Sequence, residues 1–547
     1  MRSNSTEGYG ARASHAWLLL RVHADAFVAA PKAYLTACWW RLKCKRVRSR
    51  SQFATLLGAS PRAYSLWALR QARAARLGAG EGAGVEARHT PPIVALVDVS
   101  AGKFGLDDTL HALAANGVEA LTIGLDGLSG AAARIDWSAG PWLMPIAAGD
   151  VVAPGMASAY RAALSGADGE TSLIYADDDL LDRWGRHVSP HFKPDWNAEL
   201  FRHFDYLTGA CILRVEAGDL AAASGRDWAR ELVVRAAGQG VPVHLQAVLH
   251  HRRARPAPTV PAAVAIPTQD LPPVSIIVPT RNRVDLLRTC FQGVAATDYP
   301  DIELIVVDND SDDPETLAYL DRLGEAMPGV RVQVLRHAGA FNYSAINNRA
   351  AEAASGRLLC LLNNDIEMTE PHWLATMAVQ ALRPDVGAVG ARLLYPDGRV
   401  QHAGVVIGMG NAAGHAHRFL RPDKEGYFYR HALPQFTSAV TAACLLVQRE
   451  RFFAVGGLNA RDFAVAFNDV DLCLRLNQRG WQSLYEPRAT LIHHESVSRG
   501  LDRDPVGAAR FAGELVALQR LWRTDSITDP FHHPKLSRAA ERFTLAL

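Results

Sequence analysis

Carboxylates, amides and imidazoles recur in the second half of this chain at the ends of apolar runs. VSIIVPTRN (274–282), IELIVVDNDSDD (302–313) and RLLCLLNNDIEM (357–368) each read as a buried strand that stops at polar residues. FNDVDLCLRLNQRGW (467–481) reads as an amphipathic helix opening on Asn468, Asp469 and Asp471, and LIHHESVSRG (491–500) ends another strand at His493 and His494. Strands that stop abruptly at Asp or Asn present those groups at the carboxyl edge of an open α/β sheet, where such folds bind ligands.

Each cluster offers a different piece of chemistry. After Pro279, the side chains of Thr280, Arg281 and Asn282 can donate to a base or a phosphate, and Asp308 and Asp310 can accept from a ribose hydroxyl or a nucleobase N–H. The third strand stops at Asn363, Asn364 and Asp365. A sugar diphosphate leaves well only if the charge growing on its oxygens is neutralised, as Mg²⁺ or Mn²⁺ held by one or two protein oxygens can do. Asp365 is the first choice for that ligand, with Asn364 beside it on the nucleotide. Asp469, at the mouth of a cleft, can take the proton of an attacking hydroxyl as a general base. A histidine pair after a strand, in a chain with such a carboxylate, tips His493 and His494 toward a metal ligand, and Arg499 is placed to neutralise a phosphate. Together the clusters suit a nucleoside diphosphate held through a divalent metal.

Plainer readings compete at several positions. Ser311, Asp312 and Asp313 suit an Asx turn capping a helix that begins near Pro314. Glu367 and Thr369 suit a cap before Pro371, and acids in the first turn of a helix are often only partners of its dipole.

The elements carrying these groups sit in a chain of 547 residues, which implies two or three domains with a terminal extension. A hydrophobic fraction of 49% and a charged fraction of 21% are those of an ordinary soluble protein. Seven cysteines without a CxxC pair argue for reduced thiols in a cytosolic protein rather than a disulfide framework or a zinc site. No stretch has the roughly 18 apolar residues of a membrane span, and no secretory signal is recognised.

Gly/Pro-rich joins at 78–92 and 252–273 divide the chain into a basic helical extension (1–90), a first domain (91–252), a Pro-rich linker (253–273) and a larger domain (274–547). The linker composition implies a semi-rigid spacer and domains free to move relative to each other. Charge is polarised: residues 1–90 hold 15 Lys/Arg against 4 Asp/Glu, and the remainder 43 against 52. Trp39 and Trp40 are followed by six basic residues in ten, so the extension either rests on an anionic membrane surface or packs on the next domain. The acidic remainder offers no matching face for nucleic acid.

The two domains read as diverged copies. TGACILRVEAGDL (208–220) echoes TAACLLVQRERFF (441–453), ELVVRAAGQG (231–240) echoes DLCLRLNQRG (471–480), and VLHH (248–251) echoes LIHH (491–494). Ala229 then falls on Asp469, so the first copy is degenerate. Its main acids, Asp177, Asp178 and Asp179, follow a different strand and read as surface loop residues of a scaffold.

With PTRN, VVDNDS, NYSAINNRAA, LLNNDIE, YPDGRVQHAG, NDVDLCLRL and HHESVSRG in order, the chain resembles the family 2 glycosyltransferases of GT-A fold. It is most similar to bacterial tandem members of O-antigen and rhamnosyltransferase type. The resemblance is strong over 274–547 and reaches the first copy through YADDDLLDRWGRHVSPHFKPDW. It implies two nucleotide-diphospho-sugar transferase domains of α/β, Rossmann-like architecture, and an inverting transfer from a nucleotide-sugar donor to a glycan or lipid-linked glycan acceptor. It also implies that Asp308 and Asp310 bind the nucleoside, Asp365 and His493 the metal, and Asp469 acts as base. Asn363 stands at the first acidic position of the usual DXD motif, and Asn468 where many relatives carry Glu. Tyr395–His402 and Gln435–Cys444 are expected on the acceptor side. The expected setting is cytoplasmic, peripheral at the inner face of the cytoplasmic membrane. Two rivals are a sugar-nucleotide pyrophosphorylase, which needs a Gly-rich phosphate loop that PTRNRVDLL lacks, and a non-catalytic carbohydrate-binding or assembly subunit.

Overall fold

A computed structural model describes residues 6–78, 91–124, 127–167, 169–262, 266–494 and 505–547. Four helices come first: α1 (Thr6–Ala29), α2 (Pro31–Leu42), α3 (Arg46–Gly58) and α4 (Ala63–Gly78).

The first sheet uses β1 (Ile93–Asp98), β2 (Glu119–Ile123), β3 (Trp142–Ala147), β4 (Val151–Val152), β5 (Leu173–Leu181), β6 (His187–His191), β7 (Cys211–Leu213) and β8 (Val243–Arg252). The second part begins with β9 (Val274–Thr280), β10 (Ile302–Asp308), β11 (Arg331–Arg336), β12 (Leu358–Leu362), β13 (Ile366–Met368), β14 (Val386–Leu394) and β15 (Val400–His402). It continues with β16 (Val405–Ile407), β17 (Ala413–His415), β18 (Gln435–Thr437), β19 (Cys444–Gln448) and β20 (Gln482–His493). β9, β10 and β12 are buried at every residue. Their unbroken Val/Ile/Leu runs are what a sheet covered on both faces requires.

The duplication seen in the echoes is a duplication of topology. The first sheet runs β2-β1-β3-β7-β5-β8-β4, and the second runs β10-β9-β12-β19-β14-β20-β13 with β11 added at its edge. Matched strand for strand, each neighbouring pair has the same sense in both sheets: parallel, parallel, antiparallel, antiparallel, parallel, antiparallel. Both are mixed α/β sheets with one inverted central strand.

This match corrects the reading of the triple aspartate. Asp177, Asp178 and Asp179 are fully buried on β5, not in a surface loop, and β5 corresponds to β14. Irregular register against β8 at Ala176–Asp178 lets three successive acids all turn inward. Each is consumed internally. Asp178 pairs with Lys193 at 2.9 Å and with Arg255, and Asp179 accepts from His187 at 2.9 Å, His251 at 2.7 Å and Tyr64 of α4 at 2.7 Å. Asp177 meets His244 and His533, each at 3.0 Å. Burial works to raise its pKa, but hydrogen bonds from the two imidazoles carry it down to about 2. The Lys535 N–H donates to His533 Nδ1 at 3.0 Å, so the proton of a neutral His533 sits on Nε2 facing Asp177. The cluster ties β5 to distant segments, and in each of its two groups, Asp177–His244–His533 and Asp179–His187–His251, three potential ligand atoms lie within 4.8 Å of one another.

The Pro-rich linker does not leave the two units independent. Asn197 exchanges both amide bonds with the Phe436 backbone, donating at 2.9 Å and accepting at 3.1 Å. Glu199 pairs with Arg383 at 2.7 Å, and the Asp195 N–H donates to the Pro530 carbonyl at 2.8 Å. Leu433 lies in the first unit's core with Phe428 packed against it. Buried amide pairing and shared apolar area overrule what linker composition alone implies.

Candidate active site

The carboxyl edges of β9, β10 and β12 converge as expected, but their side chains divide into groups that hold the edge and groups that face outward. The Asn282 Oδ1 accepts from the Asp312 and Asp313 N–H groups, both at 3.0 Å, and its Nδ2 donates to Asp312 at 2.7 Å. With φ at +56°, Asn282 ties the first edge loop to the second. Asp308 is buried and holds Ser311 and, at 2.5 Å, Arg336, while Asp310, also at positive φ, accepts from the Gly339 N–H at 2.8 Å. Asn364 donates to Thr280 Oγ1 at 3.0 Å. Asp313, rather than Ser311 or Asp312, caps the helix Pro314–Asp321 through the Thr316 N–H at 2.9 Å. Pro279 is buried in β9, Arg281 is exposed at its end, and Arg499 lies outside the described residues.

Asp365 and His493 meet. The register Ile366↔His493 between β13 and β20 brings the His493 Nε2 to 3.1 Å from Asp365 Oδ1. The other ring nitrogen, Nδ1, lies 2.8 Å from Gln401 Oε1 on β15, an acceptor only, so Nδ1 carries the proton and Nε2 a lone pair. Two acceptors thus face each other, and Asp365 Oδ1, in a side chain 4% exposed, has no hydrogen-bond partner. The Asn363 Nδ2 lies 3.4 Å from the same Nε2, and either a metal ion or the second proton of a charged imidazole would satisfy the Asp365 oxygen. His494 turns aside, to Glu367 at 2.9 Å.

Asp469 lies on the same edge. The helix Asn468–Gln478 starts after Phe467 at φ +62°, a turn that swings its first residues toward the loop before β19. There Asp469 accepts from the Ala442 N–H at 3.0 Å and the Val470 N–H at 2.8 Å. The neighbouring Ala443 carbonyl accepts from the Asn363 N–H at 3.0 Å, so one short backbone bridge links the base position to the strand end that carries Asp365. Burial raises the Asp469 pKa, opposed by the Ala442 and Val470 N–H groups and the Thr441 hydroxyl. Tyr343 lies close to both acids: burial, then the charge of Asp469 and more weakly that of Asp365, pushes its phenol above its ordinary value. Asp471 instead serves structure, pairing with Arg475 at 2.7 Å and Trp522 at 3.0 Å.

Several contributors carry no motif signal of their own. Gln401 orients His493, Thr441 and Ala442 hold Asp469, and Arg283, paired with Asp285 at 2.6 Å, also feels Asp365. Of the two stretches expected on the acceptor side, Gln401–His402 and Thr441–Ala442 adjoin the acids. Gln435–Thr437 pairs with β20 and meets the first unit instead.

Residues 275–441 match the family model Glycosyl transferase family 2. The chain is 37% identical over 433 residues to the uncharacterized protein y4gI of Sinorhizobium fredii (strain NBRC 101917 / NGR234), an alignment covering 69% of this chain and 46% of that one. It is 36% identical over 420 residues to the O-antigen biosynthesis protein RfbC of Myxococcus xanthus, covering 68% and 32%. A shorter match, 46% over 66 residues, links 12% of this chain to 20% of the N-acetylglucosaminyl-diphospho-decaprenol L-rhamnosyltransferase of Mycobacterium tuberculosis (strain CDC 1551 / Oshkosh). The chain thus spans about half the length of the first of these relatives and about a third of the second. The unit beginning at Val274, with its sheet edge of amides and carboxylates, thus carries a family 2 glycosyltransferase domain over residues 275–441.

Proposed function

We propose that the chain moves a sugar from a nucleotide-diphosphate donor to a hydroxyl of a glycan or lipid-linked glycan, with inversion, in the assembly of a cell-surface polysaccharide. The observation that carries this reading is the close approach of Asp365 Oδ1 and His493 Nε2, on the same edge as Asp469. A divalent cation held by these two atoms would offset the charge gathering on the departing diphosphate. A donor set of one carboxylate oxygen and one imidazole nitrogen suits Mn²⁺ better than Mg²⁺.

The residues of the chain do the rest. Asp469, ionised, takes the proton of the acceptor hydroxyl while the Ala442 and Val470 N–H groups keep its carboxylate in place. The acceptor oxygen forms its bond to the anomeric carbon on the face opposite the diphosphate, whose oxygen leaves with the electron pair of the broken bond. Burial raises the basicity of Asp469, which favours proton removal near neutral pH. The carboxylates of Asp308 and Asp310, with Thr280, Arg281, Asn364 and Arg499, form the nucleotide side of the reading.

The extension supports a peripheral position at the inner face of the cytoplasmic membrane. Trp17, Leu35, Trp39 and Leu42 are all more than half exposed beside the basic run, and no helix among the described residues is long and apolar enough to cross a membrane. A screen of UDP-, dTDP- and GDP-sugars for Mn²⁺-dependent protection of the full chain tests the donor side. Protection that needs Mn²⁺ and disappears in Asp365→Asn is expected, and protection indifferent to both would overturn the assignment.

A further inference from the structure

The strand match fixes what the first unit has in place of each active-site group. The loop joining β3 to β4 corresponds to the loop joining β12 to β13, and Asp150, directly before β4, answers to Asp365, directly before β13. The TGACIL and TAACLL echo sets Thr208 at the place of Thr441, and Ala229 stands where the second unit has Asp469. By the VLHH and LIHH echo His250 falls on His493 and His251 on His494; His250 meets the Tyr160 hydroxyl at 2.8 Å, and His251 turns to Asp179.

These replacements leave loose ends on one cavity of about 540 Å³, lined among others by Asp98, Asp150, Thr208, Arg226, Arg230 and Arg252. With Ala229 lacking a carboxylate, the buried Thr208 Oγ1 has no hydrogen-bond partner, whereas Thr441 bonds Asp469. Arg252, its side chain 9% exposed, has no partner for Nε, and its nearest carboxylate oxygens, on Asp150 and Asp178, stand 3.8 Å away. Its guanidinium is pressed against Gly209, at φ +82°, where a Cβ would come within 2.7 Å of it. Buried donors without acceptors are costly, by about 1–3 kcal/mol each.

We infer that this cleft binds a phosphate-bearing carbohydrate without a metal ion and without turning it over. A guanidinium next to Asp150 disfavours a cation there by like charge, and the Arg253 N–H already takes Asp150 Oδ1 at 2.7 Å. The same guanidinium matches phosphate oxygens with paired donors. Arg226 and Arg230 are exposed at the rim, and Asp98, half-buried, offers an acceptor to sugar hydroxyls. The volume falls within the roughly 300–1,000 Å³ typical of small-ligand sites. With Ala229 at the place of Asp469, the proposed base of the second unit has no counterpart here. The inference goes beyond the proposed transfer, since it uses neither Asp365 nor Asp469.

Calorimetric titration of the full chain with inorganic pyrophosphate in EDTA tests it. One EDTA-resistant site per chain is expected, unchanged in Asp365→Asn and weakened about tenfold or more in Arg252→Gln. Because Arg252 is buried, the exposed double variant Arg226→Ala/Arg230→Ala provides a second arm, with severalfold weakening and an unchanged melting curve expected. Tighter binding of UDP than of pyrophosphate identifies a nucleotide sugar as the source, and tighter binding of farnesyl diphosphate identifies a lipid-linked glycan. No binding in EDTA, or affinity unchanged in the rim variant, overturns the proposal. Transfer lost in Asp365→Asn with this binding intact keeps the two readings apart.

Discussion

Replacing Gln401 with leucine tests whether the Asp365–His493 pair is a cation site, because Gln401 reaches that pair through the outer nitrogen of His493. Its Oε1 is the acceptor that holds the His493 proton on Nδ1. With leucine there, Nδ1–H is buried without a partner, and the tautomer that moves the proton to Nε2 gains a hydrogen bond to Asp365 Oδ1, now 3.1 Å away. A cation must then displace that proton. Removing such an outer partner costs about 10–100-fold in metal affinity, or about 1.4–2.7 kcal/mol. The expected result is a Mn²⁺ dissociation constant raised by that factor in an EPR or calorimetric titration, with turnover at saturating Mn²⁺ close to the parent. Gln401→Glu, which keeps an acceptor, should bind Mn²⁺ at least as tightly as the parent. An unchanged dissociation constant in Gln401→Leu, with a normal melting curve, refutes the tautomer argument and with it the metal role of His493.

Asp469→Asn should lower transfer by about 10²–10⁴-fold while donor protection stays within about twofold, measured by turnover and by thermal shift with the donor. Because burial raises the Asp469 pKa, the acid limb of kcat/KM should fall above the ordinary aspartate range, with activity present above that limb and lost below it. Thr441→Val removes a hydroxyl that stabilises the ionised carboxylate, so the limb should move to still higher pH with the plateau retained. Trp39→Glu with Leu42→Glu should reduce sedimentation of the full chain with anionic phospholipid vesicles, and equal sedimentation of parent and variant sinks the membrane reading.

Much of the edge was legible because period and punctuation agree. β9, β10 and β12 are runs too apolar for anything but a covered sheet, and their polar stops set Thr280, Asp308 and Asp365 at its carboxyl edge. What was illegible depends on pairing across long sequence distances. Gln401 matters only because β14, β15 and β20 share one sheet, and Ala442 only because an N–H points at Asp469. The triple aspartate was misread because adjacent acids ordinarily mark a solvated turn. Lys193, Arg255, His187, His244, His251 and His533, drawn from distant segments, neutralise them instead. The linker was misread because composition reports on its own stiffness, not on what the flanking units bury against each other.

The reciprocal amide pairing of Asn197 with Phe436 has a consequence for ancestry. Once a fused duplicate supplies the partner for a backbone segment two residues ahead of Ser438, losing that duplicate exposes an unsatisfied N–H and C=O together with Leu433. Either half can then drift in chemistry while neither can be shed. Such a tandem chain should melt in a single cooperative transition.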